Sequence, residues 1–585
     1  MKKHLYTCFL ASLCLYGSTS TAQVADSPGA DFLHRSMPHV STDTGDTHRG
    51  GEIRSDNLPE VFDLVDHSAA KGQEGESPSA RMGEQAYFTI RAEVNSASET
   101  SAVLHWEIRE LELDTRYDYS WLQQDTLQLN AGNFFSGTQG KQVSESRISM
   151  SESIGRFHLW DGQHVLLENI WIQAGDSLAV LWDQSTGKLL LSGPDADKIR
   201  LQVHLQELDR TAKANLNPAM ILSDVGRILD SPEKQEEYNR ISEQYRTGWN
   251  RKMLWLDSEE ERIKRASQLL QLSSPESSIL SELSRHQEDL DPDLYAWLHA
   301  YWTGKLRKEA MEFIAIARPE SMDWAELLLR FGMQSEDISA VQDWKVVPAE
   351  WTESVYLENK LLERVSPVSF FYLSATLPES LRDQVDALYL IREYRNTSEA
   401  DSLISAVLDR MQNPWVEGYL QKIYESNIAG REVLNYPLMA SDGSEVYPIS
   451  WKGKLVMLDF WLSGCGSCLK FAKNNFLPLM QAYEAHPEIL FVTISGDSEV
   501  ERWQKSLESG LYTAETSLNL FSGGISHPFL KQYQIQAFPA QLLLDKEGKI
   551  LRTGDFPSTL EGWSQLIESY LASPKPVSTS HLITP

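Results

Sequence analysis

The sequence predicts a multidomain protein with an N-terminal β-sandwich-like domain, a central all-α region and a C-terminal α/β domain. Three observations carry this. Apolar and polar residues alternate over 81–195. Over 196–428 the apolar residues recur at three- and four-residue spacing, and beyond 430 near-continuous apolar runs alternate with helical patterns. At 585 residues the chain also exceeds the roughly 250–300 residues at which single cores stop growing.

Residues 1–22 are expected to be a signal peptide. Met1-Lys2-Lys3 is basic, Leu5 to Gly17 is mostly apolar, and Ser20-Thr21-Ala22 offers small residues for cleavage before Gln23. The apolar run is shorter than the ~20 residues of a membrane anchor. No later segment is long and apolar enough to span a bilayer, so no integral membrane segment is expected after signal cleavage. Leu13 is bulky where a lipidation signal takes a small residue, which favours simple cleavage. Export to the periplasm or cell envelope follows. Residues 23–80, rich in Ser, Gly, Asp and Thr, read as a linker or loosely ordered arm. His34, His39, His48 and His67 fall there, at spacings that match no metal-ligand template.

In the stretch 81–195, Phe88, Ile90, Ala92 and Val94 alternate, as do Leu104, Trp106 and Ile108. Arg156 to Trp160 and Gln163 to Leu167 flank Asp161-Gly162, which predicts a two-residue hairpin. Ile170 to Ile172 and Leu178 to Trp182 continue the pattern, with turns at Gly175-Asp176 and Thr186-Gly187. A β-sandwich or small barrel fits. In the stretch 196–428, Ser231-Pro232, Ser274-Pro275, Asp291-Pro292 and Asn413-Pro414 each place a capping side chain before a proline suited to the first helical position. Tyr238, Ile241, Tyr245 and Trp249 share one helical face. The frequent aromatics of this region are expected in its core.

A net charge of −30 argues against nucleic acid or an anionic membrane as a partner. The cysteines are more informative. Of four, Cys8 and Cys14 lie in the expected signal peptide, which leaves Cys465 and Cys468. A structural disulfide stabilises most when it closes a long loop, so a pair this close reads as chemistry.

From 430 to 574 an α/β order emerges. A strand pair surrounds Asp442-Gly443, and Gly453-Lys454 leads into the apolar run Leu455 to Trp461. Cys465-Gly466-Ser467-Cys468 follows, with a helical pattern to about Ala485. Then come a buried strand at Ile489 to Ile494, a helix at Val500 to Ser509, and Ala537-Phe538-Pro539 ahead of a strand at Gln541 to Asp545. A turn at Glu547-Gly548 and a helix from about Leu560 to Leu571 complete it, and 575–585 is a tail. Strand, CxxC, helix, strand, helix and proline-led hairpin is the thioredoxin order.

Through Asp442-Gly443, Gly453-Lys454, Asp459-Phe460-Trp461, the CxxC, and Phe538-Pro539 before Leu542-Leu543-Leu544-Asp545, this domain resembles the TlpA/ResA-type branch of the thioredoxin superfamily, the exported thiol–disulfide oxidoreductases. Upstream, Ile172-Gln173-Ala174-Gly175-Asp176-Ser177 and Leu191-Ser192-Gly193-Pro194 are similar to the β-domain that precedes such modules in many Bacteroidota proteins. The helical region resembles nothing comparable.

The resemblance implies roles. Cys465, at a helix N-terminus, would be the exposed nucleophile, because unpaired N–H groups there favour the thiolate. Cys468, one turn on, would be the shielded resolving thiol. Asp459 would be a buried carboxylate beneath the disulfide, trading a proton with Cys468. Pro539 would follow a cis peptide bond, with Phe538, Pro539, Gly466 and Ser467 forming the surface offered to a substrate strand. Two departures stand out: Gly464 replaces the tryptophan before the first cysteine of thioredoxin, and Ser467 replaces its proline. The helix after Cys468, Leu469-Lys470-Phe471-Ala472-Lys473, lacks the Glu and Pro that ResA-like proteins often place there, which weakens a dedicated role in cytochrome c maturation.

The expected function is therefore an exported reductase of protein disulfides, recharged by a membrane electron donor of the DsbD kind, with no cofactor and no metal. The alternative is a cell-envelope binding or scaffold protein with a regulatory redox domain. A thiol peroxidase is disfavoured, since Leu462 stands where peroxiredoxins carry threonine three residues before the cysteine. The domain from Gly430 is expected to fold by itself.

Overall fold

The computed structural model describes residues 86–572, except 96–102, 116–121, 135–140, 222–228, 245–253, 320, 333–340, 342–343, 395–396, 398–399, 534 and 536. The expected signal peptide, the arm with its four histidines, Tyr245, Trp249 and the tail lie outside the described residues. The chain divides into two compact units, one ending at Pro378 and the other starting at Glu379.

The first unit opens with β1 (Ala86–Asn95), β2 (Leu104–Arg109), β3 (Leu122–Leu127), β4 (Asn130–Ala131), β5 (Lys141–Met150), β6 (Ile154–Trp160), β7 (Val165–Gln173), β8 (Ser177–Asp183) and β9 (Lys188–Ser192). They form two sheets, ordered β4-β5-β1-β8-β9 and β3-β2-β6-β7. The two-residue period of a strand puts Phe88, Ile90, Ala92 and Val94 on one face of β1, where all are fully buried. They share a core with Leu104 and Ile108 of β2 and Phe157 of β6. The Phe88 and Phe157 rings meet across the sheets at 5.0 Å. This is a β-sandwich.

The hairpin at Asp161-Gly162 exists but is wider than expected. β7 starts at Val165, not Gln163, leaving a loop of 161–164. The Asp161 carboxylate accepts from the backbone N–H groups of Gln163 (3.0 Å) and His164 (2.7 Å), and from Trp182 Nε1 (2.8 Å). One side chain organises the longer loop, which a dipeptide turn rule does not foresee. The expected strands at Gln163 to Leu167 and Ile170 to Ile172 are one, β7, with a positive φ of 51° at Asn169.

The helices that follow are α1 (Ala196–Ala214), α2 (Pro232–Gln244), α3 (Glu259–Gln271), α4 (Ser278–Arg285), α5 (Pro292–Ala317), α6 (Met322–Arg330), α7 (Ala349–Val365) and α8 (Phe370–Ser374). The region is not wholly helical, because β10 (Ala219–Ile221) and β11 (Leu254–Leu256) pair in parallel. Asp291 caps α5, accepting from Asp293 N at 3.0 Å and Leu294 N at 3.2 Å. Ser274-Pro275 does not start a helix. It lies in a turn, and Ser277 caps α4 by accepting from Leu280 N at 3.3 Å.

A buried ionic cluster joins sandwich and helices. Nη2 of Arg156 on β6 lies 2.8 Å from Glu112 and 2.8 Å from Glu350 of α7. Its guanidinium sits 4.7 Å over the Trp171 ring, with Tyr301 of α5 at 5.6 Å. Burial pushes Glu112 up to about 7 despite the guanidinium beside it.

The second unit begins with three helices, α9 (Glu379–Glu393), α10 (Ala400–Leu408) and α11 (Pro414–Asn427). Asn413 offers α11 no side-chain cap; instead Asp383 of α9 accepts from the N–H groups of Gln412 (2.7 Å) and Asn413 (2.9 Å). Then follow β12 (Leu438–Ala440), β13 (Glu445–Val446), β14 (Leu455–Trp461), α12 (Gly466–Phe471), a π-helical turn at Ala472–Phe476, α13 (Leu477–Tyr483), β15 (Ile489–Ser495), α14 (Val500–Glu508), β16 (Leu518–Phe521), α15 (Pro528–Gln532), β17 (Ala540–Leu544), β18 (Ile550–Arg552) and α16 (Leu560–Ala572). The sheet order is β13-β12-β16-β15-β14-β17-β18. β14 runs parallel to β15 and antiparallel to β17.

Alternation along β14 sends Val456, Leu458 and Phe460 into one core with Ile494 and Leu542. Leu455 and Met457 face the other side, packing with Phe476, Leu479 and Trp563. α9–α11 belong to this unit. Tyr394, after α9, hydrogen-bonds Thr553, and Asn427 Nδ2 donates to Gln532 O at 3.5 Å. The compact unit therefore starts well upstream of Gly430, where the sequence places the boundary. β16 and α15 are further elements that the sequence pattern does not reveal, and β18 is the second strand of the proline-led hairpin.

Candidate functional site

All seven residues of β14 are buried. Past its end the chain turns through Ser463 and Gly464, whose φ of +86° is a conformation that favours glycine. Cys465 caps α12, and its sulfur accepts from the Cys468 N–H at 3.1 Å. The two sulfurs are bonded, with Cα atoms 5.2 Å apart. Cys465 is part-exposed, whereas Cys468 is buried at 1% exposure. The pair is thus asymmetric: one sulfur is reachable and the other is shielded.

The Phe538–Pro539 peptide bond is cis. The Phe538 carbonyl faces the cysteines, 3.6 Å from Cys465 Sγ, and accepts a hydrogen bond from the Ser467 hydroxyl at 3.1 Å. Ser467 Oγ is also 3.2 Å from Cys465 Sγ. Gly466 and Ser467 are exposed beside them. The Phe538 ring covers Gly496, where a Cβ would lie 2.7 Å from Cζ. Cys465, Cys468, Gly466, Ser467, Phe538 and Pro539 therefore meet at one place.

Asp459 lies on the same face of β14 as Met457 and Trp461, the face away from Leu458 and Phe460. Trp461 packs in one cluster with Cys468, Trp503 and Tyr512, so this is the face that α12 covers. Asp459 is 1% exposed, and burial pushes its carboxyl up to about 8. Gln541 Nε2 donates to Asp459 Oδ1 at 2.9 Å and works in the opposite direction. A carboxyl that titrates near neutrality can give and take protons at working pH.

Sequence reasoning missed the side chains that hold the loop before Cys465. Asp497, 4% exposed, accepts from Ser463 N (3.3 Å), Ser463 Oγ (2.6 Å) and Ser495 Oγ (2.8 Å). Arg502 Nη2 donates to Ser463 O at 2.6 Å, and its Nε lies 3.6 Å from Asp497. Tyr512, stacked on Trp461 at 4.7 Å, accepts the Gly464 N–H at 2.7 Å. The loop's backbone groups are thus satisfied by side chains of a later segment. The signal was Ser495-Gly496-Asp497 at the end of a buried strand.

Among the described residues, no group of three or more His, Cys, Asp or Glu could hold a metal ion, and no helix is long and apolar enough to cross a membrane.

Residues 453–550 match a family described as thioredoxin-like. The C-terminal domain therefore has a thioredoxin-like fold with a bonded cysteine pair at the end of its central strand. Three similar solved structures each cover about a quarter of the chain. A thiol:disulfide interchange protein from Bacteroides sp. is 25% identical, over 27% of this chain and 98% of its own, with a TM-score of 0.22. The thioredoxin domain of a thiol-disulfide oxidoreductase from Bacteroides vulgatus is 24% identical, over 24% and 97%, with a TM-score of 0.21. A thiol-disulfide oxidoreductase from Bacteroides fragilis is 20% identical, over 24% and 98%, with a TM-score of 0.21. No curated protein matches the chain.

Proposed function

We propose that this protein is an exported thiol–disulfide oxidoreductase that reduces disulfides in other proteins through Cys465 and Cys468. The observation that carries the reading is the asymmetry of the pair: a part-exposed sulfur at the start of a helix, a shielded sulfur one turn on, and a buried acid on the sheet face that the helix covers.

The reaction follows from these positions. In the oxidised protein the Cys468 N–H points at Cys465 Sγ at 3.1 Å, and after reduction a donor in that place favours the Cys465 thiolate. That thiolate attacks one sulfur of a substrate disulfide, forming a mixed disulfide and releasing the first substrate thiolate. Cys468 then loses its proton to ionised Asp459 and attacks Cys465 Sγ. The second substrate thiolate leaves, and the Cys465–Cys468 disulfide closes. Two electrons pass from the protein dithiol to the substrate disulfide. The Phe538-Pro539 segment, with Gly466 and Ser467 beside it, receives the substrate as an extended strand. A membrane electron donor of the DsbD kind restores the dithiol by the reverse exchange, in the periplasm or cell envelope.

The test is insulin reduction by the mature full-length protein with dithiothreitol as electron source. Precipitation of the insulin B chain should accelerate with wild type and fall to the uncatalysed rate with Cys465→Ser. Equal rates for the two proteins would refute the activity.

A further inference from the structure

On the proposed reading of Asp459 as the acceptor of the Cys468 proton, we infer that Gln541 is a positioning residue that fixes the Asp459 carboxyl and sets the pH at which it takes that proton. Three observations place it there. Asp459 and Gln541 are direct partners in the β14–β17 register. Gln541 lies on the same face as Asp459, because its strand neighbours Ala540 and Leu542 both enter the opposite core. Its amide nitrogen donates to Asp459 Oδ1 at 2.9 Å.

The other neighbours leave this contact decisive. Across β15, Asp459 pairs in register with Thr493, which is uncharged and whose hydroxyl donates to Asn519 Oδ1 at 2.7 Å. Toward the helices the Trp461 cluster holds the titratable groups Cys465, Cys468 and Tyr512, with Asp497 and Arg502 beyond them on the Ser463 loop. No charged side chain acts on Asp459; burial raises it and the Gln541 amide lowers it. A hydrogen bond donated to the ionised form stabilises that form. Gln541 also lies two residues beyond Pro539, on the strand that begins directly after that proline. It therefore ties the buried acid to the segment proposed to receive substrate.

The experiment uses the reduced mature protein and excess chromogenic aryl disulfide. Cys465 attacks first and releases one aryl thiolate. Cys468 then attacks Cys465 Sγ, passes its proton to Asp459 and releases the second. The first phase reports Cys465 and the second reports proton transfer to Asp459. In wild type the second phase should rise with pH through the Asp459 titration, and Asp459→Asn should remove that rise. Gln541→Leu should move the second-phase midpoint up by about one pH unit, the effect of losing a donor to a charged group, and leave the first-phase midpoint in place. Gln541→Met serves as the second variant should the leucine variant not fold. An unmoved second phase, or both phases moving together, would overturn the role. So would a second phase that Asp459→Asn leaves unaltered. The aryl disulfide reacts whether or not the protein reduces insulin, so failure here is separable from failure of the proposed function.

Discussion

Asp459 should make the oxidised C-terminal unit less stable as pH rises, and Asp459→Asn should remove that dependence. The carboxyl is held at about 8 in the folded protein against an ordinary value of 3.8. Below about 3.8 it is protonated in both folded and unfolded chains, and stability is unaffected. Between those values the folded state keeps a proton that the unfolded state has lost, so stability falls with each unit of pH. Above about 8 the loss is complete. At ~1.36 kcal/mol per unit, the penalty grows by about 4 kcal/mol between pH 5 and pH 8, an upper bound because the folded protein relaxes around the charge. Urea unfolding with brief proteolysis, following peptides of 379–572 by mass spectrometry, measures it in the full chain. Wild type should lose stability relative to Asp459→Asn across this range by at least about 1 kcal/mol. A difference that does not vary with pH would refute the burial argument.

Three further outcomes are expected. Arg156→Ala leaves Glu112 and Glu350 buried without their shared cation, so the first unit should lose about 3–5 kcal/mol in denaturant titration, whereas a loss below ~1 kcal/mol would mean the cluster is hydrated. Asp497→Ala strands the hydrogen bonds from Ser463 and Ser495, so it should destabilise the second unit by ~2–4 kcal/mol and slow insulin reduction; unchanged turnover would show that the loop holds its shape without it. A fragment starting at Glu379 should unfold cooperatively and at higher urea than one starting at Gly430, because only the longer one keeps Tyr394 on Thr553 and Asn427 on Gln532. Equal midpoints would show that α9–α11 add nothing to that fold.

The parts of the architecture that were legible in the sequence are those written in local pattern. The fully buried Phe88, Ile90, Ala92 and Val94 show their period directly. Leu455 to Trp461 is continuous because β14 is central and covered on both faces. The cysteine pair stood out by subtraction, whereas Asp459 and Pro539 were picked out only through the family resemblance. What was not legible depends on register. Gln541 is 82 residues from Asp459 in the chain and meets it only because β17 pairs with β14. Asp497 reaches Ser463 across 34 residues, and Arg156 reaches Glu350 across 194. β16 was missed because Leu518-Asn519-Leu520-Phe521 is too short to show a period, and its asparagine ends in a buried hydroxyl network with Thr493 and Thr513. The boundary at Gly430 looked natural because a helix ends just before a glycine with φ +88°, yet tertiary contacts run through it.

The central claim is that Cys465 attacks and Cys468 resolves. The most direct measurement is to mix reduced Cys468→Ala and Cys465→Ala proteins with a disulfide-bonded substrate, quench with acid, and weigh the products by intact-mass spectrometry. The account predicts a lasting mixed disulfide through Cys465 in Cys468→Ala and none in Cys465→Ala, because the buried Cys468 sulfur cannot reach an external disulfide. A mixed disulfide through Cys468 in the Cys465→Ala protein, formed as fast as the other, would contradict it.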